Sequence, residues 1–382
     1  MQYTPVEMIK KLVSFDTTSR DSNLPMIEFI QDYLSQFGVE SHLVKNEDAS
    51  KANLYATIGP MVEGGVVLSG HTDVVPVDGQ AWDHDPFDAI EKDGKLFGRG
   101  TSDMKSFYAI ALAMVPQFIE KGINKPIHFA LSYDEEIGCF GAPDLIDQIA
   151  LNLPKPRAVI VGEPTMMAVV NGQKGVNGLV TKLTGHAAHS SQPHRGISAI
   201  NMAAKLIEFI DEMMTENKAR AKGDCLFVPP YTTMTVGVIK GGTASNIISQ
   251  NCQFEWDIRN IPEDDPQDFV ERLRIKSAEL IADAQKIAPE ASIETIEDSV
   301  VPALAPEGTG QAEALCKHLT GSNNTAVVSY ATEGGQFQER GFSTVICGPG
   351  SIDQAHQANE YIDISQVKEC EKFMNKLADW LV

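Results

Sequence analysis

The sequence predicts an α/β protein with a mainly parallel sheet, interrupted by a small inserted α+β domain. Three observations lead there. Short apolar runs of strand character (LYATIG, VVLSG, IHFALSY, AVIVGEP and STVICGPG) alternate with segments of helical periodicity, the pattern of βαβ units. That alternation breaks near residue 172 and returns after residue 290. Inside the break, two long helical stretches stand among strand-like runs, as expected for two helices on one antiparallel sheet.

Taken in order, residues 5–15 and 24–37 read as amphipathic helices, the second stopped by Gly38. SFYAIALAMVPQFIEKG and GAPDLIDQIA carry helical periodicity between the apolar runs. The inserted region reads as strand (GLVTKLTG), helix (ISAINMAAKLIEFIDEMMTE), strand (YTTMTVGVIKGG), strand (QNCQFEWDIRNI) and a helix from Pro266 to Ala288. The expected divisions are therefore 1–172 and 291–382 for the α/β domain, with 173–290 inserted.

Composition narrows the function classes. A formal net charge of -21, from 31 basic and 52 acidic residues, argues against nucleic acid or an anionic membrane as partner, because phosphate binding needs a basic face. No apolar run approaches the ~20 residues that span a bilayer, and the N-terminus MQYTPVEMIKKLVSFD lacks the pattern of a signal peptide. A cytoplasmic location is the expectation. Cys139, Cys225, Cys252, Cys316, Cys347 and Cys370 show no C-x-x-C spacing, which excludes zinc-finger and thioredoxin readings and suits reduced thiols.

The chemistry gathers where the apolar runs end. VVLSG is followed by His71 and Asp73, IHFALSY by Asp134, Glu135 and Glu136, and AVIVG by Glu163. STVICGPG leads to His356, and Asp103 stands just before a helical segment. In a parallel sheet these run ends share one edge, the edge where open α/β sheets place their sites. His71, Asp103, Glu136, Glu163 and His356 thereby form a candidate ligand set for divalent metal. Imidazole and carboxylate without thiolate suit Zn2+, with Co2+ or Mn2+ as substitutes. Asp103 between two ions about 3.5–4 Å apart would make a two-metal hydrolytic site. Three carboxylates and one hydroxide would balance the four positive charges, and that hydroxide is the expected nucleophile. Glu135 is placed to be the general acid/base. Asp73 is expected to orient His71 by taking the proton of its second ring nitrogen; a simple turn-capping pair is the alternative.

SGHTDVVP, GRGTSDMK, DEEIGCFGA, VGEPT, GHAAHSSQPHRG, GGTASNIIS, DIRNIP and GPGSIDQAHQANEY, from residue 69 to 361, resemble the di-zinc amidohydrolase family. That family includes acetylornithine deacetylase, succinyl-diaminopimelate desuccinylase, aminoacylase and glutamate carboxypeptidase. The resemblance implies a zinc-dependent exopeptidase-like catalytic domain and an inserted lid domain that forms a homodimer. It implies one zinc on His71, Asp103 and Glu163, the other on Asp103, Glu136 and His356, and a cis peptide between Asp103 and Met104. It implies that His189, with His186 as competitor, stabilises the oxyanion in a neighbouring subunit. Asn246 and Arg259 resemble the family's substrate contacts, and an arginine fork suits a substrate carboxylate.

The stretch TEGGQFQERGFSTVICGPGSIDQAHQANEY is most similar to the acetylornithine deacetylase branch. The expected reaction is hydrolysis of an N-acyl amino acid, N2-acetyl-L-ornithine first. A desuccinylase, a broader N-acyl-amino-acid hydrolase and a catalytically silent metal-binding protein are the alternatives. Glu333, read as an exposed loop residue, is the candidate contact for a cationic substrate side chain.

Overall fold

A computed structural model of the chain describes residues 2–382. It divides into two compact units. The first runs through Gly172 and resumes over Leu304–Val327 and Thr332–Val382; the second is Gln173–Ala303 with Val328–Ala331.

The first unit is built on an eight-stranded sheet. Its strands lie in the order Ser41–Lys45, Ala52–Ile58, Ile127–Ser132, Val66–His71, Ala158–Pro164, Thr344–Gly348, Val170–Gln173 and Ala326–Val328. The four central strands, Ile127–Ser132 to Thr344–Gly348, run parallel, and antiparallel pairs flank them. Every residue of Val66–His71, Ile127–Ser132 and Ala158–Pro164 is buried. Strands covered on both faces need apolar residues at successive positions, hence the unbroken runs in the sequence.

The first helix, Pro5–Val13, shows how local chemistry sets an element. Thr4 caps it in a reciprocal box with Glu7, Pro5 occupies its first turn, and Met8, Ile9, Leu12 and Val13 face the core. The segment expected as one helix after Asp103 is two, Lys105–Ala113 and Val115–Lys121. Pro116 lies in the first turn of the second, where its missing N–H is tolerated, and Gly122 ends it in the left-handed region at φ 65°. The Asp103–Met104 peptide is cis.

The second unit has a four-stranded antiparallel sheet in the order Thr233–Gly241, Asn251–Arg259, Val176–Thr184, Ser292–Val301. Helices Ala199–Ala219 and Pro266–Ala284 cover one face, and their apolar residues join Leu179, Phe254 and Trp256 in a separate core. The boundary expected at 290/291 moves to Ala303/Leu304. The reason is Ser292–Val301, which pairs along the whole of Val176–Thr184 and so belongs to the inserted sheet.

Candidate metal centre

The C-terminal ends of the parallel strands deliver the site. His71 is the last residue of Val66–His71, Glu163 is the penultimate residue of Ala158–Pro164, and Glu135 and Glu136 follow Ile127–Ser132. Asp103 precedes helix Lys105–Ala113, and His356 lies beyond Thr344–Gly348. Two glycines make room for this assembly. A Cβ on Gly70 would stand 2.7 Å from Met104 Cε, and one on Gly162 only 1.9 Å from the Phe107 ring. Each glycine immediately precedes a predicted ligand, so the helix after Asp103 can lie close against both strands.

Asp103 stands between the two histidines. Its Oδ1 is 3.0 Å from His71 Nε2, and its Oδ2 is 3.3 Å from His356 Nε2. Glu163 Oε1 lies 3.7 Å from His71 Nε2, while Glu136 Oε2 is 2.9 Å from His356 Nε2. The five predicted ligands therefore come together as two trios sharing Asp103. Ligand atoms of His71, Asp103 and Glu136 lie within 4.8 Å of one another, as do those of His71, Glu135 and Glu163. Glu135 thus borders the same small volume.

The electrostatics call for cations. Among the described residues, the ion pairs of Asp103, Glu136 and Glu163 are with His71 and His356. Burial and then Asp103 raise Glu136 to about 7 and lift Glu163 well above the carboxylate range. Burial, with Glu136 and Asp103 as like charges, raises Glu135 likewise. Burial opposes charge on His71, yet Asp103 and Glu163 hold its pKa well above the ordinary value. Hydrogen bonds to Asp103 and Glu136 lift His356 to about 10. Asp103 goes the other way: burial is outweighed by the two histidines, which hold its pKa below the usual range. Glu136 Oε1 and Glu163 Oε1 are buried without a hydrogen-bond donor, an arrangement that costs free energy unless a cation faces them. Imidazole nitrogens and carboxylate oxygens suit a hard or borderline divalent ion.

Two expectations are corrected. The proton on His71 Nδ1 goes to the backbone carbonyl of Asp73 at 2.8 Å, while the Asp73 carboxylate stays 3.7 Å away. That carboxylate instead accepts the backbone N–H groups of Glu135 and Glu136, at 3.1 and 3.2 Å, and the Ser19 hydroxyl at 2.7 Å. Asp73 therefore orients His71 through its main chain and holds the Glu135–Glu136 turn through its side chain. Glu333 is not an exposed loop residue: it is 1% exposed, accepts from Ser69 Oγ at 2.9 Å and also from Ser132 Oγ, and burial raises its pKa. Its carboxylate braces the ends of two parallel strands, and the substrate role is withdrawn.

The remaining predicted residues lie in the second unit. His189 Nδ1 is 2.8 Å from Ser191 Oγ, and the N–H of Ser190 donates to the Asn246 carbonyl, which brings His189 and Asn246 into one loop cluster. His186 Nδ1 is 2.6 Å from Glu290 Oε1. Arg259 ends its strand with Nε donating to Asp257 at 2.8 Å. Sequence reasoning missed Ser19, Ser69 and Ser132, buried hydroxyls in segments whose pattern marks only strand or loop.

A mainly parallel sheet whose strand ends bring two histidines and four carboxylates together is the framework of a metallohydrolase. The chain belongs to the peptidase family M20/M25/M40, whose family model matches residues 67–380. Its relatives include the acetylornithine deacetylase of Pasteurella multocida (strain Pm70), 33% identical over 365 residues, 95% of this chain and 93% of that one. The acetylornithine deacetylase of Myxococcus xanthus is also 33% identical, over 375 residues, with 95% and 93% covered. Among solved structures, an M20 family metallo-carboxypeptidase from Sulfolobus solfataricus matches with a TM-score of 0.77 at 19% identity, covering 98% of each chain. A dinuclear metal binding peptidase of the M20 family from Bacillus subtilis matches at 0.69 and 15%, covering 99% of this chain and 97% of that one. The chain is an M20 metal-dependent hydrolase.

Proposed function

We propose that the protein hydrolyses an N-acyl amino acid, N2-acetyl-L-ornithine foremost, to the free amino acid and a carboxylate. The observation that carries the reading is the place of Asp103, one carboxylate oxygen toward each histidine and a further glutamate beyond each. His71, Asp103 and Glu163 would hold one divalent ion, and Asp103, Glu136 and His356 the other, zinc being the expected metal. Bound there, the pair supplies a nucleophilic water at neutral pH and polarises the amide carbonyl.

Glu135 does the proton work. The Asp73 carboxylate fixes its backbone N–H, and the Cys139 thiol lies 3.4 Å from its Oε1. Burial, which favours its protonated form, suits a group that takes a proton from water as the C–O bond forms. The same proton passes to the amide nitrogen as the C–N bond breaks, so acetate and the free amine leave. His189, Asn246 and Arg259 are proposed as substrate-binding residues, with His189 acting on the oxyanion in the site of a second copy. His186, paired with Glu290, is the weaker choice for that part.

Relatives at 31–33% identity over nearly the whole chain are acetylornithine deacetylases, which supports that substrate. The test is a parallel assay, with metal added, on N2-acetyl-L-ornithine, N-succinyl-L,L-diaminopimelate and N-acetyl-L-methionine. Preference for the first by kcat/KM supports the proposal. Preference for either other moves the specificity within the family, and two bound ions without any turnover would reinstate a silent metal-binding protein.

A further inference from the structure

Glu360 takes no part in the chemistry described above, yet it is the most heavily committed carboxylate near the centre. It is 1% exposed, as is Arg99. Its Oε1 accepts the backbone N–H groups of Ser102 and Asp103, at 2.8 and 3.0 Å. Its Oε2 accepts the N–H of Gly100 at 3.0 Å and Arg99 Nη1 at 2.7 Å. Four donors fill the four lone-pair sites that a carboxylate offers; all four come from the stretch 99–103 that presents Asp103, three of them as backbone N–H groups.

The other end of the network reaches His356. Arg99 Nη1 also donates to the Gln357 carbonyl at 3.3 Å, and its Nη2 donates to Gln80 Oε1 at 2.7 Å. Gln80 Nε2 then donates to the His356 carbonyl at 2.8 Å. Glu360 and His356 share one short segment, while Asp103 comes from a loop more than two hundred and fifty positions away. The buried Arg99–Glu360 pair and the three backbone N–H bonds to Glu360 thus tie together the two segments that present Asp103 and His356. No comparable tie joins Glu360 to His71 or Glu163, which ride on the ends of paired parallel strands.

We infer that Glu360 is a positioning residue that sets the spacing between Asp103 and His356, and hence the affinity for the ion those two share with Glu136. The inference rests on the two-ion reading and adds a residue that the reading does not need. A glutamine at this position keeps the shape but sets an –NH2 group against N–H donors, either the Ser102 and Asp103 amides or Gly100 and Arg99. The loop must then shift, and the Asp103–His356 spacing with it. The other ion shares Asp103, but its two remaining ligands, His71 and Glu163, take their positions from the sheet.

The experiment is a Co2+ titration of the metal-free full-length protein, wild type against Glu360→Gln, by equilibrium dialysis and by the visible absorption of each added ion. Loss of a partner behind a ligand typically weakens metal binding about 10–100-fold, so the second Co2+ should bind Glu360→Gln that much more weakly while the first stays within about threefold. Its absorption band should change shape, and excess Co2+ should restore uptake of two ions. Wild-type affinity for both ions, or equal weakening of both, overturns the inference. If Glu360→Gln does not fold, Gln80→Ala removes the link from Arg99 to the His356 carbonyl, leaves the bonds of Glu360 in place and should weaken the second ion selectively; unchanged binding there overturns it equally. Wild-type protein that takes up fewer than two Co2+ would sink the two-ion reading as well.

Discussion

Glu135 and Glu136 are neighbours in sequence with different surroundings. Asp73 holds the backbone N–H of both, but Glu136 meets His356 at 2.9 Å and leaves one oxygen unpaired, whereas Glu135 faces the Cys139 thiol. Glu135→Gln should therefore retain two metal ions by elemental analysis and lose turnover by about 10²–10⁴-fold; near-normal kcat would show that Glu135 carries no proton. At this scale the sequence was legible for which side chains gather, since histidine and carboxylate at the ends of apolar runs stand out, and the fold brings them within reach of one another. It was not legible for Asp73, because H-x-D reads the same whether the histidine proton goes to the aspartate's side chain or to its carbonyl. Glu333 misled for a similar reason. A lone glutamate between threonine and glycines carries no periodicity to reveal that it lies beneath two strand ends.

Among the elements, the close approach of helix Lys105–Ala113 to the parallel strands is the feature on which the site depends. Gly162→Ala would drive a methyl into the Phe107 ring. Overpacking of this kind costs about 1–3 kcal/mol, so its urea midpoint should fall well below that of wild type, and an unchanged midpoint would mean that the helix can move aside. The strand Ile127–Ser132 supplies a second test. His128 is fully buried, lies 2.8 Å from Thr57 Oγ1 through Nδ1, and has its pKa pushed down by burial from 6.5 to about 4. Its folded value lies below its unfolded one, so the unfolded chain takes up the proton first as pH falls. The stability it permits is complete above about pH 6.5 and is lost toward pH 4. The stability advantage of wild type over His128→Asn should shrink by up to about 3 kcal/mol across that window, and a constant difference would contradict the assignment. The buried parallel strands were readable as apolar runs. Ser292–Val301 was not placed correctly, because its alternating, acidic pattern (SIETIEDSVV) marks a half-exposed strand but says nothing of which sheet it joins. Three-residue strands such as Ile90–Lys92 and Lys95–Phe97 are too short for any period to show.

For the whole molecule, the inserted sheet ends in two open edges, Thr233–Gly241 and Ser292–Val301. Val238 and Ile239 on the first are 39% and 52% exposed. An open edge with exposed apolar residues invites pairing, and a two-fold axis pairs that edge with its own copy. A homodimer built through this unit is the expected assembly. Sedimentation at micromolar concentration should report twice the chain mass, while a fully active monomer would remove both the dimer and any action of His189 on a second copy. Among the described residues, no helix is long and apolar enough to cross a membrane. The division into an α/β unit and an insertion was visible in the change of rhythm near residue 172; the return near 304 was hidden by the last strand of the insertion. In the α/β unit the strand ends and the helix after Asp103 bring the two histidines to Asp103, the proposed ligand shared by two ions. The direct measurement is hydrolysis of N2-acetyl-L-ornithine by metal-free protein as Zn2+ is added in known equivalents. Activity should be negligible without metal and rise to saturate near two ions per chain, as the paired trios require. Full activity at one equivalent, or undiminished activity with none, would contradict the two-ion reading.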